Sequence, residues 1–420
     1  MQTVISYMNQ TQSSPISFDN TAFAFEYKSD KELKKAHFLF ATMGKPFLVN
    51  LGVTLMPIAV KMKLPFVKSI VRNTIFKQFV GGETLEQTAP VADKLEEYKV
   101  QVILDYGVEG GEGETAFEEA TKEFIKVIDY ASSQRNIPFI SIKITGIARF
   151  SLLETLDKSM ISSSESTLMK KYYSAVENLS DAEKNEWHLC VSRLLKICDN
   201  AHKKNVAVLV DAEESWIQDP VDAVTILMMD SFNKDRAVVF NTIQLYRHDR
   251  FEFLKSSFNA AADRNFILGV KLVRGAYMEK ERLRATEQGY HSPIQPDKQS
   301  SDHDYNASLK FCINNIKRVS VIVASHNEQS NLLATSLMTE NGIPAGHEHV
   351  HFSQLYGMSD NITFNLAKHG YSVSKYLPFG PIKDVVPYLM RRARENSSVA
   401  GQTGRELGLI KRELERRGEA

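Results

Sequence analysis

Residues 206–245 read VAVLVDAEESWIQDPVDAVTILMMDSFNKDRAVVFNTIQL, and this stretch predicts a strand, a helix and a second strand. The runs Val206–Val210 and Val238–Leu245 are continuously apolar and rich in β-branched residues, which is typical of strands buried on both faces. The segment between them, Pro220–Ala237, has the apolar spacing of a helix. This order predicts a βαβ unit with parallel strands.

The same alternation repeats from about residue 100 to residue 396. Further strands are predicted at Val100–Tyr106, Phe139–Ile144, Ile267–Val273, Val319–Ala324, His349–Leu355 and Tyr371–Leu377. Further helices are predicted at Glu114–Ser133, Glu186–Lys204, Phe251–Asn265, Asp304–Lys317, Gln329–Asn341, Asp360–His369 and Lys383–Asn396. Eight strands and eight following helices predict an α/β fold, a closed (βα)8 barrel rather than an open doubly wound sheet.

The rest of the chain has the patterning of helices. Residues 1–95 predict an N-terminal helical arm, in which Ser29 and Glu32 have the spacing of a capping box. Residues 96–400 form the predicted barrel, with a helical insertion at about 151–185 after the second strand. Residues 401–420 predict a C-terminal helical tail.

Composition excludes several classes of protein. Lys and Arg number 51, as do Asp and Glu, so the net charge is zero and offers no footprint for nucleic acid. Cys190, Cys198 and Cys312 form no CxxC pair, and we expect buried thiols rather than a zinc site or a disulfide framework. The N-terminus lacks the pattern of a secretory signal, which favours a cytoplasmic protein.

The longest apolar run is Pro46–Val60, and it is too short to span a bilayer. A buried helix is one interpretation of it. The basic residues Lys61, Lys63 and Lys68 beside it leave peripheral contact with the inner membrane as the other.

In a (βα)8 barrel the active site forms at the C-terminal ends of the strands. A lone lysine or aspartate at such an end is commonly a structural ion pair. Here, however, polar groups follow nearly every strand, and stability alone does not explain so many on one face of a barrel. They are Lys143, Asp211–Glu214, Gln244–Arg247, Lys271–Tyr277, Ser325–Asn327, Gln354–Met358 and Tyr376–Gly380.

The helix after the eighth strand contains adjacent arginines. Arg391 is four residues and Arg392 three residues before Glu395, so both can lie near one carboxylate. Paired guanidinium groups are also suited to binding a substrate carboxylate through two hydrogen bonds. A solvated basic helix face is the alternative interpretation.

Two other motif matches do not predict sites. Gly111, Gly113 and Ala116 fit a loose GxGxxA, but the glutamates around them would repel a pyrophosphate. His347–His351 matches HExxH as a string. It runs into the predicted seventh strand, where residues four apart lie roughly 13 Å apart and cannot share a metal. We therefore expect no metal site.

Taken together, these motifs resemble those of the proline dehydrogenase family, in the family's order and over roughly residues 100–400. The matching pieces are Ser141–Thr145, Asp211–Glu214, Lys271–Tyr277, His326-Asn327, Phe352–Met358, Tyr376–Gly380 and Tyr388–Asn396. The resemblance implies a distorted (βα)8 barrel that binds FAD non-covalently at the strand ends. It also implies oxidation of L-proline to Δ1-pyrroline-5-carboxylate by hydride transfer to FAD.

The resemblance assigns the site residues to two groups. The first group is implied at the substrate: Arg391 and Arg392 at the proline carboxylate, Lys143 at the same end with Glu395 or Asp211 as its partner, and Tyr376 and Leu355 against the pyrrolidine ring. The second is implied at the cofactor: Gln244, Lys271, Val273, Arg274, Gly275, Tyr277, Ser325, His326 and Asn327, with Gln244 bonding the flavin and Arg274 its pyrophosphate.

One departure from the family concerns the flavin. Many bacterial relatives have Arg at the position of Lys271 and Lys at that of Arg274. The exchange keeps the charge but moves the forked donor, so a contact of Lys271 with the flavin does not follow directly from the resemblance.

Two rival functions stay open. A hydroxyproline dehydrogenase of the same family carries a smaller Ser where this chain has Tyr376, and the tyrosine therefore favours proline. A non-redox barrel lyase using Lys143 as a Schiff-base nucleophile belongs to another class.

The expected partners follow from the length of the chain. It has no room for an aldehyde dehydrogenase domain, so we expect pyrroline-5-carboxylate to pass to a separate dehydrogenase. Electrons are expected to pass to a membrane quinone.

Overall fold

Eight parallel strands close into a barrel in the computed structural model, which describes residues 16–107, 111–398 and 400–419 apart from residues 46, 48, 51, 55 and 57–66. Each strand pairs with the next along the chain, and the last pairs with the first. The strands are β1 Gln101–Tyr106, β2 Phe139–Ile142, β3 Ala207–Val210, β4 Val239–Gln244, β5 Leu268–Val273, β6 Val319–Ala324, β7 Val350–Leu355 and β8 Val373–Phe379. The predicted barrel is confirmed.

Helices connect the strands and flank the barrel at both ends of the chain. They are α1 Thr21–Phe25, α2 Asp30–Met43, α3 Val67–Val71, α4 Lys77–Phe79, α5 Ala89–Glu96, α6 Glu114–Ser132, α7 Phe150–Ser162, α8 Leu168–Glu177, α9 Asp181–Lys204, α10 Gln218–Phe232, α11 Arg250–Arg264, α12 Met278–Gln288, α13 Lys298–Asn314, α14 Glu328–Glu340, α15 Asp360–Lys368, α16 Ile382–Ser398 and α17 Ala400–Arg416. A π-helical turn, Arg72–Phe76, joins α3 to α4, and three short 3-10 turns lie at Glu86–Thr88, Ile144–Gly146 and Ser215–Ile217.

Several local predictions can be compared with these helices. The Ser29–Glu32 capping box begins α2 as predicted. The helix predicted over residues 220–237 ends earlier, at Phe232, and the one predicted from Asp304 begins at Lys298. The sequence pattern predicts one helix between β5 and β6. The structure has two, because helix α12 precedes the predicted one. The boundaries at residues 95 and 400 stay a prediction.

The inside of the barrel is filled by side chains that alternate along the strands. Ile103, Leu209, Phe240 and Ile322 meet there as a small apolar core of their own. The other faces of the strands pack against the surrounding helices. Because side chains on a strand alternate with a period of two, Asp211 after β3 lies on the same inner face as Leu209.

A second apolar core lies outside the barrel wall. It joins the N-terminal helices to α16 and α17, through residues such as Phe40, Phe79, Leu389 and Ile410. Eight of the fifteen residues of the apolar run 46–60, for which a buried helix is one interpretation, lie outside the described residues. None of the helices in the described part of the chain is long and apolar enough to cross a membrane. The three cysteines are buried thiols.

The eighth helix of the repeat extends across the C-terminal mouth of the barrel. At its start, the Val385 side chain lies where a Cβ on Gly107, just after β1, would meet it at 2.8 Å. In its middle, the guanidinium carbon of Arg391 lies 6.0 Å from the centroid of the Tyr277 ring, beyond β5. Strands β1 and β5 are on opposite sides of an eight-stranded barrel, so side chains of α16 reach both sides of the opening.

Candidate active site

The floor of the site is organised around the carboxylate of Asp211. One of its oxygens accepts a hydrogen bond from Lys271 on β5. The other accepts the hydroxyl of Tyr376 at 2.6 Å and lies 3.6 Å from Nζ of Lys143. Burial by itself raises the pKa of Asp211, but the ammonium groups of Lys271 and Lys143 outweigh it and hold the pKa well below its ordinary value. Asp211 is therefore ionised at neutral pH.

A second carboxylate, Asp105, lies at the same end of the barrel and is not among the residues predicted from the sequence. It is the one charged side chain in residues 100–106, near the end of β1, and it is buried. Burial raises its pKa, while the positive charge of Lys143 acts in the opposite direction. A single charged residue within an otherwise buried strand is the signal that the sequence offers.

One side of the site is apolar. Leu355 at the end of β7 pairs in register with Tyr376 on β8, so these two predicted ring-packing side chains are neighbours. The Lys271 ammonium lies 5.2 Å from the centroid of the Tyr376 ring. Burial, together with Asp105 and Asp211, raises the pKa of Tyr376 well above its ordinary value, so its hydroxyl stays a donor. The hydrogen bond to Asp211 and the ammonium of Lys271 together fix the orientation of the Tyr376 ring.

Helix α16 brings the two arginines over this floor. Arg392 is buried, donates a 2.6 Å hydrogen bond to Glu395 and lies 5.1 Å from the ring centroid of Tyr388. Arg391 is half-buried beside Tyr277. The pairing of Arg392 with Glu395 agrees with their three-residue spacing. Of the two carboxylates expected near Lys143, Asp211 lies within ion-pair distance.

The opposite side of the mouth contains Gln244, which pairs in register with Val273. Its Nε2 donates to the backbone oxygen of Glu213 at 2.8 Å. Its Oε1 is buried, and no described residue donates a hydrogen bond to it. A bound group that donates a hydrogen bond would satisfy this buried acceptor, because an unsatisfied one is costly.

Glu213 belongs to one of the family motifs, but the resemblance implies no role for it. In the structure it lies beside the side-chain amide of Gln244. Its carboxylate accepts the Thr145 hydroxyl at 2.7 Å. Burial raises the pKa of Glu213 to about 7, against the opposing effect of Lys143. The residue therefore titrates near neutral pH.

The loop after β5 approaches the mouth closely. Gly275 has a φ of +133°, and a Cβ there would lie 2.4 Å from the Tyr246 ring. Only glycine fits this conformation and this space. Next to it, Arg274 donates to Asp302 at 2.6 Å, to Ser325 at 2.9 Å and to a further serine, Ser330, at 3.0 Å.

Beyond β6 the chain supplies His326 and Asn327. The Nδ1 of His326 lies 2.9 Å from the hydroxyl of Ser359. Burial, with the charges of Arg392, Lys375 and Arg274, lowers the pKa of His326 to about 3, so the ring is neutral at physiological pH. The side chain of Asn327 accepts from the amide of Ser330 and caps α14.

The predicted residues thus fall into two neighbouring groups. Lys271, predicted at the cofactor, lies in the Asp211 group with the predicted substrate residues. The string 347–351 runs into β7 as expected, and His351 is bonded to Ser374 within the barrel. Among the described residues, no cluster of His, Cys, Asp and Glu could hold a metal ion.

Comparison with known proteins identifies the family. The model of the family described as "Proline dehydrogenase" matches residues 89–405. The chain belongs to the proline dehydrogenase family. It is 32% identical over 412 residues to a hydroxyproline dehydrogenase of Xenopus laevis, covering 94% of this chain and 88% of that one. It is 33% identical over 377 residues to mitochondrial proline dehydrogenase 1 of Arabidopsis thaliana, covering 84% and 76% respectively.

Solved structures agree on the fold. Proline utilization A from Bdellovibrio bacteriovorus superimposes with a TM-score of 0.67 at 23% identity, over 93% of this chain. This chain spans 40% of the length of that protein. The family match makes this protein an oxidoreductase of the proline dehydrogenase family, and the solved structure shows its barrel fold.

Proposed function

We propose that this protein oxidises L-proline to Δ1-pyrroline-5-carboxylate with FAD as its cofactor. The observation that carries the proposal is the composition of the barrel mouth. Paired arginines on α16 lie over an apolar wall, Leu355 and Tyr376, whose tyrosine is fixed by Asp211. A zwitterionic amino acid with an apolar ring matches both halves of this arrangement.

The arginines supply orientation for the substrate. Arg392 is buried and is held by Glu395, so little side-chain freedom is lost when it binds a carboxylate. With the carboxylate fixed at one end and the ring against the apolar wall, the ring carbon that is oxidised is held in one place. Such positioning is a large part of catalysis when a hydride must be transferred over contact distance.

The residues on the other side of the mouth fit FAD. The unsatisfied Oε1 of Gln244 would accept a hydrogen bond from the isoalloxazine, and Gly275 lets the loop after β5 pack directly against the Tyr246 ring beside it. Arg274 would contact the pyrophosphate, with Val273, Tyr277, Ser325, His326 and Asn327 around it. When bound, FAD supplies the two-electron acceptor chemistry that no side chain of the protein provides.

Hydroxyproline is the second candidate substrate, and the Xenopus laevis relative favours it. Tyr376 argues for proline, because its ring is held by Asp211 and Lys271 and cannot easily move to admit a 4-hydroxyl group. We expect kcat/KM for L-proline to exceed that for trans-4-hydroxyproline by about 10–200-fold, the usual range for one misfitted group in a pocket. Tyr376→Ser should narrow this ratio, and equal kcat/KM values in the unmodified protein would overturn the assignment to proline.

We extend the proposal to the fate of the products. Electrons pass to a membrane quinone, and pyrroline-5-carboxylate passes to a separate dehydrogenase. Large apolar side chains are exposed on the N-terminal helices, Phe38, Phe47 and Ile70, and they support peripheral membrane contact. Localisation to the cytoplasm stays a prediction. Reduced enzyme that a soluble quinone fails to reoxidise would count against the quinone.

The deciding experiment is an anaerobic visible spectrum of the purified protein before and after addition of L-proline. A flavin band that bleaches with proline is the expected result. A band that bleaches only with trans-4-hydroxyproline would support the second candidate. A protein that stays colourless after FAD is supplied would refute the redox proposal and leave the lyase interpretation of Lys143 to be tested. Arg392→Met is the control, since it should keep the band but require far more proline to bleach it.

A further inference from the structure

A cluster of buried charges lies behind His326, outside the site described above. Its centre is Asp360 at the start of α15, which is fully buried. One of its oxygens accepts from the Tyr27 hydroxyl at 2.7 Å and from Lys28 at 2.8 Å. The other lies 2.8 Å from the ammonium of Lys375 on β8. The cluster therefore joins the N-terminal arm to the barrel.

The C-terminal helix α17 supplies a further carboxylate to this cluster. Glu406 is buried, and its Oε2 accepts a hydrogen bond from the backbone amide of Ser359 at 3.1 Å. Ser359 has a φ of +50°, the left-handed conformation that residues other than glycine, asparagine and aspartate rarely adopt. The hydrogen bond from its amide to Glu406 helps to hold it there.

Ser359 in turn contacts the candidate cofactor site. Its hydroxyl lies 2.9 Å from Nδ1 of His326. Because His326 is buried and neutral, its hydrogen bond to this hydroxyl helps to fix the orientation of the ring, and the hydroxyl can donate to or accept from Nδ1. Two hydrogen bonds thus lead from α17 through Ser359 to a residue predicted at the cofactor.

We propose that Glu406 is a positioning residue of the cofactor site: it fixes the backbone of Ser359, whose hydroxyl orients His326 for contact with FAD. The inference rests on the proposed function, since it assumes that FAD binds at His326. It assigns the C-terminal helix, which follows the last helix of the barrel repeat, a role in cofactor binding.

The charges around Glu406 determine which variants are informative. Burial and the carboxylate of Asp360 raise the pKa of Glu406 to about 7, while Lys28 and Lys375 act in the opposite direction. Near neutral pH a neutral side chain with an acceptor oxygen is therefore a close substitute. Glu406→Gln keeps that acceptor, whereas Glu406→Leu has a similar size and removes it.

The same helix offers a matched control. Glu413 is fully buried, two turns further along α17, and its carboxylate binds Arg416 and Arg417 rather than Ser359. Glu413→Leu should lower the thermal stability of the protein without changing its affinity for FAD. It separates damage to α17 in general from loss of the contact to Ser359.

The measurement is the Kd for FAD of the flavin-depleted full chain, followed by flavin fluorescence, with the melting temperature of each variant measured beside it. Glu406→Leu should raise the Kd about tenfold, the effect of one buried hydrogen bond. Glu406→Gln should stay within about threefold of the unmodified protein, and Glu413→Leu should leave the Kd unchanged.

Equal increases in the Kd for Glu406→Leu and Glu413→Leu, or no increase for either, would overturn the proposal. Should Glu406→Leu fail to fold, Ser359→Ala provides a second test, because it removes only the hydroxyl facing His326. It should also raise the Kd about tenfold, and an unchanged Kd would again overturn the proposal. In the double variant with Glu406→Leu, the increase should be less than the product of the two single increases. If the unmodified chain binds no FAD, the proposed function itself has failed.

Discussion

Asp211 is the carboxylate at which two lysines and a tyrosine converge, and its replacement by asparagine tests the whole floor of the site. Asparagine has nearly the same size and still accepts a hydrogen bond from Tyr376. It removes the negative charge that faces Lys143 and Lys271. The substitution therefore isolates charge from shape.

The magnitude follows from the distances. At 3.6 Å and an effective dielectric constant near 20, the attraction between Asp211 and Lys143 alone is about 4–5 kcal/mol before desolvation is subtracted. Lys271 is buried, so its charge would be left without its carboxylate partner. Removal of one partner of a buried ion pair costs about 3–5 kcal/mol. We expect the free energy of unfolding at pH 7 to fall by that amount.

The effect on catalysis should be separate from the effect on stability. Without the anion, Lys143 and Lys271 lose their fixed positions, and small displacements of positioning groups reduce rates about 100-fold. We therefore expect kcat/KM for L-proline to fall by about that factor, measured on folded protein at a temperature well below its melting transition.

Asp222→Asn is the matched control, because Asp222 is fully buried, pairs with Arg250 at 2.5 Å and accepts a hydrogen bond from Asn241 on β4, with no contact to Lys143, Lys271 or Tyr376 among the described residues. It should lose comparable stability and keep its kcat/KM within about threefold. If Asp211→Asn has the kcat/KM of the unmodified protein, Asp211 does not position the substrate wall. If the stability of Asp211→Asn is also unchanged, Asp211 does not form the ion pairs with Lys143 and Lys271. Lys271→Met provides a further test, since adding it to Asp211→Asn should cost less than the two separate losses combined.

Three further outcomes follow from the same geometry. The unmodified protein should stay more stable than the Asp211→Asn variant from pH 8 to about pH 4. Because the pKa of Asp211 is lowered in the folded state, this advantage should be lost only as the pH falls below the ordinary pKa of an aspartate. Loss of the advantage near pH 6, measured by urea titration, would contradict this. Glu213→Gln should stabilise the protein by an amount that grows between about pH 4.5 and pH 7, up to about 3 kcal/mol. The reason is that the raised pKa of Glu213 makes ionisation of this residue unfavourable in the folded state. A difference in stability that does not depend on pH would show that Glu213 is not buried as described. Gly275→Ala should reduce the fraction of protein purified with FAD, since its φ and the Tyr246 ring both exclude a Cβ, and full occupancy would contradict the close approach of this loop.

The strands of the barrel can be predicted from the sequence to within about two residues. They are buried on both faces, so their apolar runs are continuous and do not depend on which neighbours they meet. The strand ends are equally predictable, because the barrel fold places every one of them at the same mouth.

Helix α12 cannot be predicted in this way, because its sequence has no apolar stripe. It is held by polar contacts to the loop after β3. Glu281 accepts hydrogen bonds from the amide and hydroxyl of Ser215, and the Arg284 guanidinium lies 4.3 Å from the Trp216 ring centroid. Such contacts are determined by tertiary structure, and periodicity does not detect them.

The same limit applies to the site. The sequence points to Lys143, Asp211 and Tyr376 because each occurs in a motif at a strand end, and the structure brings these three side chains together. Asp105 and Glu406 occur in no motif, and their importance depends on side chains that are distant in sequence. The sequence predicts residues 401–420 only as a helical tail, although Glu406 reaches a loop of the barrel.

The position of α16 connects the second apolar core to the chemistry at the mouth. In a regular barrel the eighth helix would pack against β8 and its neighbours, and its arginines would face solvent. Here the apolar residues of α16, including Val386 and Leu389, are buried against the N-terminal helices and α17. That burial holds Arg391 and Arg392 over the floor, because the apolar face of α16 needs cover, and covering it with these helices leaves the arginines on the side of the barrel mouth. Under the proposed function, the N-terminal helices and α17 therefore contribute to substrate binding by fixing the helix that carries the two arginines.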